Sequence, residues 1–375
     1  MTSKRNPRCY CYVTHRPYYH LPPKFGEKWS DMKTLAGLLV VCWLAGSPAG
    51  AEVTILRGSG ATLPYPLYQQ WIEVYPRELG RLSYDPVGSG KGIQALLHDE
   101  VDFGATDAFL TDRELKKAGG NILHIPTCIG AVAIACNLPG NPELRLTSEL
   151  IAGIFMGKIT RWSDYRIGAV NPEVALPDLE IIVIYRSDGS GTTFIFTDFL
   201  AKTNQIWDDY LGRGRQMRWP TGLGLNGNAG VVQYIKKIAG SIGYVELSYT
   251  RQHNLPAALV RNRAGQLVRP GPSSALALAG MEFPEDLRLS LTDPPSEEAY
   301  PIIGFSYLIV RQEQAYADRT RERALALTRF LWWAVHEGQV YNEGLLYGTL
   351  PQPVVQKAEA LIRSLRYEGQ PLMNW

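Results

Sequence analysis

Cysteine and histidine are scarce, five and six in 375 residues. Three of the cysteines (Cys9, Cys11 and Cys42) precede residue 52, which leaves Cys128 and Cys136 in the apolar run 127–136. Eight residues of extended chain hold two side chains ~26 Å apart, far beyond disulfide reach, so two buried thiols are expected. Beyond residue 51, His98, His124, His253 and His336 show no metal-ligand spacing. A complete P-loop is missing, because Gly92 follows Lys91 where Ser or Thr is required. A nucleophile elbow is missing too: Ser59, Ser89 and Ser190 have Arg57, Val87 and Asp188 two residues before them instead of glycine. Catalysis therefore finds little support. Strong charge of either sign is also lacking, with a formal net of +2, which gives no nucleic-acid footprint. There are no internal repeats, no low-complexity tract and no Pro/Ser-rich linker. The 45% hydrophobic content is that of a globular protein. At roughly 100–200 residues per domain the length suggests two domains, and without a linker these must interleave.

The clearest apolar run, Leu35–Ala45, is too short to span a bilayer. Basic Lys33 precedes it and Ala49-Gly50-Ala51 follows as a small-residue cleavage site, the layout of a secretory signal. Met32 would start a signal of ordinary length; residues 1–31 then read as an extended n-region or as sequence upstream of the true start. No packed structure is expected over 1–51. Bulky Val41 and Trp43 around Cys42 disfavour a lipid anchor there. Cleavage after Ala51 removes seven basic and two acidic side chains, which turns the net charge from +2 to −3.

The rest alternates short β-branched runs with helical periodicity, an α/β pattern. Strands are expected at 53–56, 131–136, 181–185 and 307–310. Helical faces show in Leu67, Trp71 and Tyr75, in Ile93, Leu96, Leu97 and Val101, and over 321–365 with breaks at Gly338, Gly344 and Pro351. Residues 256–301 are loop-rich.

Three loops share one composition: Gly58-Ser59-Gly60-Ala61-Thr62-Leu63-Pro64, Gly88-Ser89-Gly90-Lys91-Gly92, and Arg186-Ser187-Asp188-Gly189-Ser190-Gly191-Thr192-Thr193. Each precedes a helix. Free backbone N–H groups and the positive dipole end gather there, and small hydroxyls add donors, so each loop suits an anion. Singly, each is an ordinary capped turn. Three together, one with an arginine, point to a buried oxyanion site.

Those loops resemble the substrate-binding proteins of bacterial phosphate ABC transporters. The strings that carry the resemblance are GSGATLPYPLY (58–68), VGSGKGI (87–93), VDFGATDAFL (101–110), CNLPGNPEL (136–144), IFMGKITRWSD (154–164), YRSDGSGTTFIFTDFLAK (185–202), WPTGLGLNGNAGV (219–231) and GSIGYVE (240–246). The resemblance implies an α/β fold of two interleaved periplasmic-binding-protein lobes (Venus flytrap, type II), each a mixed sheet with helices on both faces. The lobes would comprise residues 52–129 with 303–375, and 130–302. It implies a periplasmic, monomeric, non-enzymatic receptor without cofactor or metal. Its ligand would be inorganic phosphate and its partners the permease and ATPase subunits of an ABC importer.

Carried over by motif, the phosphate contacts are Thr62, the Leu63 backbone, Ser89, Asp107, Arg186, Ser190, Gly191 and Thr192, with Asp188 in support of Arg186. Asp107, a carboxylate aimed at an anion, makes sense where the ligand brings a proton, as HPO₄²⁻ does and sulfate does not. Without the family it reads equally as a loop cap. Leu63 replaces the family's usual Phe. Lys91 stands where small residues are usual, as a charge near the site or as an exposed helix-start lysine. Leu225 and Asn226 also depart from the family, away from the implied ligand shell. The alternatives are a receptor for sulfate or molybdate, or a secreted phosphatase on the same scaffold.

Overall fold

The computed structural model describes residues 54–373, apart from Gly120, Ser273, Ser274 and Ala279. The expected signal, its cleavage site and three of the cysteines lie outside the described residues. Eight strands form one sheet: β1 (Ile55–Gly60), β2 (Arg81–Asp85), β3 (Phe103–Thr106), β4 (Ile122–Cys136), β5 (Ile182–Arg186), β6 (Leu223–Leu225), β7 (Ser241–Glu246) and β8 (Ile303–Arg311). Their spatial order is β2-β1-β3-β8-β4-β7-β5-β6.

β4 organises the fold. Its sequence ILHIPTCIGAVAIAC is almost unbroken apolar text, and all but one of its residues are buried, as a strand covered on both faces requires. Residues 122–131 pair antiparallel with β8, and 132–136 pair antiparallel with β7. One strand thus carries the chain from one half of the sheet to the other. Beyond it the pairing is parallel on each side, β2-β1-β3 in one half and β7-β5-β6 in the other. Both halves are mixed sheets, as expected. Cys128 and Cys136 are free and buried on β4.

A register shift separates Ser306 from Tyr307, which faces Pro126. Proline has no N–H for the ladder and belongs at a bulge. The shift matters because Ser306 turns its hydroxyl toward the site.

Aromatic packing anchors each half. Around helix α1 (Tyr65–Val74) the Trp71 and Tyr75 rings meet Trp333 and Phe330 of a helix over Arg321–Val335 edge-on, at 5.2–6.3 Å. In the other half Tyr244 stacks on Phe196 at 4.4 Å, which contributes about 1 kcal/mol beyond area burial. The C-terminal part is helical at Arg321–Val335 and Gln352–Arg363, with breaks in tight turns through Gly338 and Gly344 and at Pro351, which caps the start of the second helix. Residues 256–301 hold only two short strands and one 3₁₀ turn among the described residues.

One element differs from expectation. Gly58 to Gly60 finish strand β1 instead of forming a loop. A Cβ on Gly58 would lie 2.0 Å from the Phe103 ring, so that glycine serves ring packing on the sheet.

Candidate functional site

The sheet's parallel strands end together, and the helices that follow them begin at one buried cluster. Thr62 and Leu63 form the turn after β1. Ser89 opens helix α2 (Ser89–Leu97). Asp107 follows β3. Arg186 ends β5, and Ser190 caps helix α3 (Gly191–Thr203) by accepting the Thr193 N–H at 3.1 Å. Helix α4 (Gly227–Lys237) adds a further N-terminus. All eight expected contact residues are buried, Asp107 to 4% exposure and Arg186 to 2%.

Continuous hydrogen bonds join them. Ser89 Oγ accepts the N–H of Asp107 (3.3 Å) and of Gly191 (3.1 Å), which links the first half of the sheet to the second. The Gly90 N–H donates to Gly189 O at 2.8 Å across the same seam. Arg186 donates to both Asp188 oxygens from Nε (2.7 Å) and Nη2 (2.5 Å), and from Nη1 to Thr192 Oγ1 (3.3 Å). Asp188, expected to support Arg186, lies in hydrogen-bond contact with it and also accepts the Gly227 N–H at 3.2 Å. A Cβ on Gly191 would stand 2.6 Å from Asp107 Oδ2; only glycine lets that carboxylate and the α3 N-terminus meet. The Leu63 side chain packs on Gly130, where a Cβ would come within 2.4 Å of it.

Several participants went unread in the sequence. Tyr249 donates its hydroxyl to Thr62 O and Tyr347 to Leu63 O, each at 2.8 Å, which fixes the peptide that bears the Leu63 N–H. Ser306 donates to Asp107 Oδ1 at 2.8 Å. Asn228, in the first turn of α4, reaches Thr62 and Thr192. Leu225, expected away from the shell, is the ladder partner of Arg186. Ser187 binds the neighbouring Asn226 at 3.0 Å. Asn228 falls inside one of the strings that carried the resemblance, which was the available signal.

Burial dominates the electrostatics. Desolvation pushes the Asp107 carboxyl up to about 7, against the opposing Ser306 hydrogen bond and the Arg186 charge. It pushes Glu246, which binds Ser248 and Tyr347, up to about 8. Burial raises Asp188 too, but the Arg186 hydrogen bonds and charge outweigh it and hold that carboxyl below its ordinary range.

For the two raised acids the folded state holds protons that the unfolded chain releases above about pH 4–4.5, so their contribution to stability is lost as pH rises to about 8. Buried His124, with its pKa pushed down to about 3, offsets part of this loss below about pH 6.5, so the ligand-free protein is expected to melt roughly 5 °C lower at pH 8 than at pH 5.5. Asp107→Asn should flatten that slope. Differential scanning calorimetry checks both, and a melting temperature that rises over this interval would contradict the assignment.

Beside the cluster opens a cavity of about 1190 Å³ lined by Thr62, Gly90, Lys91, Asp188, Gly189 and Arg215, among others. Lys91 is exposed on its wall. Among the described residues no group of three or more His, Cys, Asp or Glu is placed to hold a metal ion.

A sheet divided by a shared strand, with helix N-termini from both halves converging on buried polar groups, defines a two-lobed binding protein. A family model described as a PBP superfamily domain matches residues 45–337. The chain is 37% identical to phosphate-binding protein PstS of Pasteurella multocida, over 82% of this chain and 90% of the relative. Against the PstS of Xylella fastidiosa strain 9a5c it is 38% identical, over 84% and 87%. Among solved structures, a high affinity periplasmic phosphate-binding protein (PfluDING) bound with phosphate shares the fold with a TM-score of 0.67 at 23% identity, over 82% of this chain and 93% of that one. The chain belongs to the PBP superfamily and, within it, to the PstS family of phosphate-binding proteins.

Proposed function

We propose that this protein is an exported receptor that captures inorganic phosphate between two lobes and delivers it to the permease and ATPase of an ABC importer. The observation that carries the reading is Asp107: a buried carboxylate set among the N–H and O–H donors of Ser89, Arg186, Ser190, Gly191 and Thr192. Such an acceptor suits an anion that still holds a proton, and the names of the relatives agree. The lobes in this reading are residues 52–129 with 303–375, and 130–302, joined through β4 and β8. Ion pairs from Arg215 to Glu114 and from Arg288 to Asp112 (2.8 Å) reinforce the seam.

The energetics suffice. About eight hydrogen bonds to charged oxygens, each worth ~1.5–3 kcal/mol net, exceed the ~8 kcal/mol of micromolar affinity and leave a surplus for lobe closure. Binding without turnover fits a site in which no histidine activates the Ser89 hydroxyl among the described residues. The Ser89 oxygen accepts two backbone N–H bonds, while His124 takes the Leu110 N–H (3.0 Å) and burial pushes its pKa down to about 3. Among the described residues no helix is long and apolar enough to cross a membrane. A periplasmic monomer is the state proposed.

Calorimetry on phosphate-stripped protein tests the reading: tight phosphate binding with sulfate weaker by roughly 10⁴-fold is expected. Equal affinities for the two anions would sink it. Turnover of a phosphate monoester, with or without divalent metal, would favour a phosphatase instead.

A further inference from the structure

We infer that Asn228 is a positioning residue that forces the hydroxyls of Thr62 and Thr192 to act as donors toward the bound anion. The inference rests on the phosphate reading and extends it to a residue outside the ligand shell.

The argument is a count of lone pairs. A threonine or serine hydroxyl has one hydrogen and two acceptor positions. Thr62 Oγ1 accepts the Asn228 backbone N–H at 3.3 Å and its Nδ2 at 3.0 Å. Thr192 Oγ1 accepts Asn228 Nδ2 at 3.2 Å and Arg186 Nη1 at 3.3 Å. Both oxygens are thereby filled as acceptors, and each can meet a ligand only through its O–H. Asn228 supplies three of these four donors.

Its own orientation is fixed independently. Asn228 is fully buried, and its Oδ1 accepts the Glu246 N–H at 3.1 Å, which turns the amide nitrogen toward the two threonines. Ser89 reaches the same state by another route, with both acceptor positions taken by the Asp107 and Gly191 amides. Three hydroxyls are therefore committed as donors, and Asp107 remains as the acceptor. The site distinguishes bare oxygens from a single protonated one because neighbours set the polarity of each hydroxyl. Thr62 follows β1 and Asn228 opens α4, so this setting is complete only when the two halves meet.

A double-mutant cycle read by calorimetry with inorganic phosphate tests this. In the wild-type background, Thr62→Val and Asn228→Ala should each weaken phosphate binding about 10- to 100-fold. In the Asn228→Ala background, Thr62→Val should cost less than about 3-fold, since the hydroxyl is no longer committed. Asn228→Asp keeps the oxygen that accepts the Glu246 N–H and removes the two side-chain donors, so it serves if the alanine variant does not fold. It should likewise abolish most of the Thr62→Val effect. An equal Thr62→Val penalty in all backgrounds would overturn the role of Asn228 and leave the phosphate reading intact. A wild-type protein that ignores phosphate would overturn both.

Discussion

Replacing Asp107 by asparagine is expected to collapse anion discrimination, with phosphate binding weakened about 10- to 100-fold and sulfate binding strengthened by at least as much. The carboxylate is 4% exposed and keeps one oxygen on Ser306, while its other oxygen lies against Gly191 at the α3 N-terminus. In the proposed complex that second oxygen accepts a hydrogen bond from the ligand's O–H. Sulfate brings none, so above about pH 7, where Asp107 is ionised, two acceptors would face each other in a site closed to water, where an unmet pairing costs most. An asparagine amide reverses the case: it donates to sulfate and competes with the proton of phosphate. The side chains are nearly isosteric, and Ser306 can still donate to the amide oxygen, so folding should survive. Competition calorimetry with the two anions reads the ratio directly. An unchanged ratio would remove Asp107 from the specificity of the site.

The expected mature charge of −3 makes this local chemistry necessary. A dianion gains nothing from the whole-molecule field of an acidic protein. In the proposed complex, attraction comes from helix N-termini, hydroxyls set as donors and one buried guanidinium.

Much of this was legible because it is local. The apolar text of β4, the periodicity of α1 and α2, and the loop 186–193 before α3 each declare themselves within a dozen residues. What stayed hidden is what distant segments bring. Ser306 reaches Asp107 across 199 positions, and Tyr347 reaches Leu63 across 284. A lone serine in a strand or a tyrosine after a turn carries no mark of such a partner. The glycines misled in a physical way. Those of the first loop pack: Gly58 under Phe103, and Gly60 against Gly92, where a Cβ would come within 2.4 Å of its Cα. The glycines that let polar groups converge are Gly88, beside Asp188, and Gly191, beside Asp107. Composition alone cannot separate these two uses.

Arg186→Ala is expected to weaken phosphate binding by about 10³-fold or more, the loss that follows removal of a buried, hydrogen-bonded charge. Of the five guanidinium N–H groups, two go to Asp188 and one to Thr192. Two remain, one on each terminal nitrogen, as a fork for two anion oxygens. Lysine keeps the charge but offers a single nitrogen, which cannot grip both Asp188 oxygens and a ligand, so Arg186→Lys should fall between alanine and wild type. Alanine also leaves the largely buried Asp188 without its partner, which costs up to about 3–5 kcal/mol of stability. The Asp188 carboxyl is held low in the native protein, so this contribution is present at neutral pH and fades as acid protonates it. The stability gap between wild type and Arg186→Ala should therefore be widest near pH 7 and narrow toward pH 3. Denaturant unfolding at both values, with phosphate calorimetry alongside, decides the matter. A gap that does not move with pH would mean that Arg186 and Asp188 do not act as a pair, and retained phosphate affinity would mean that the fork is not the anion's anchor.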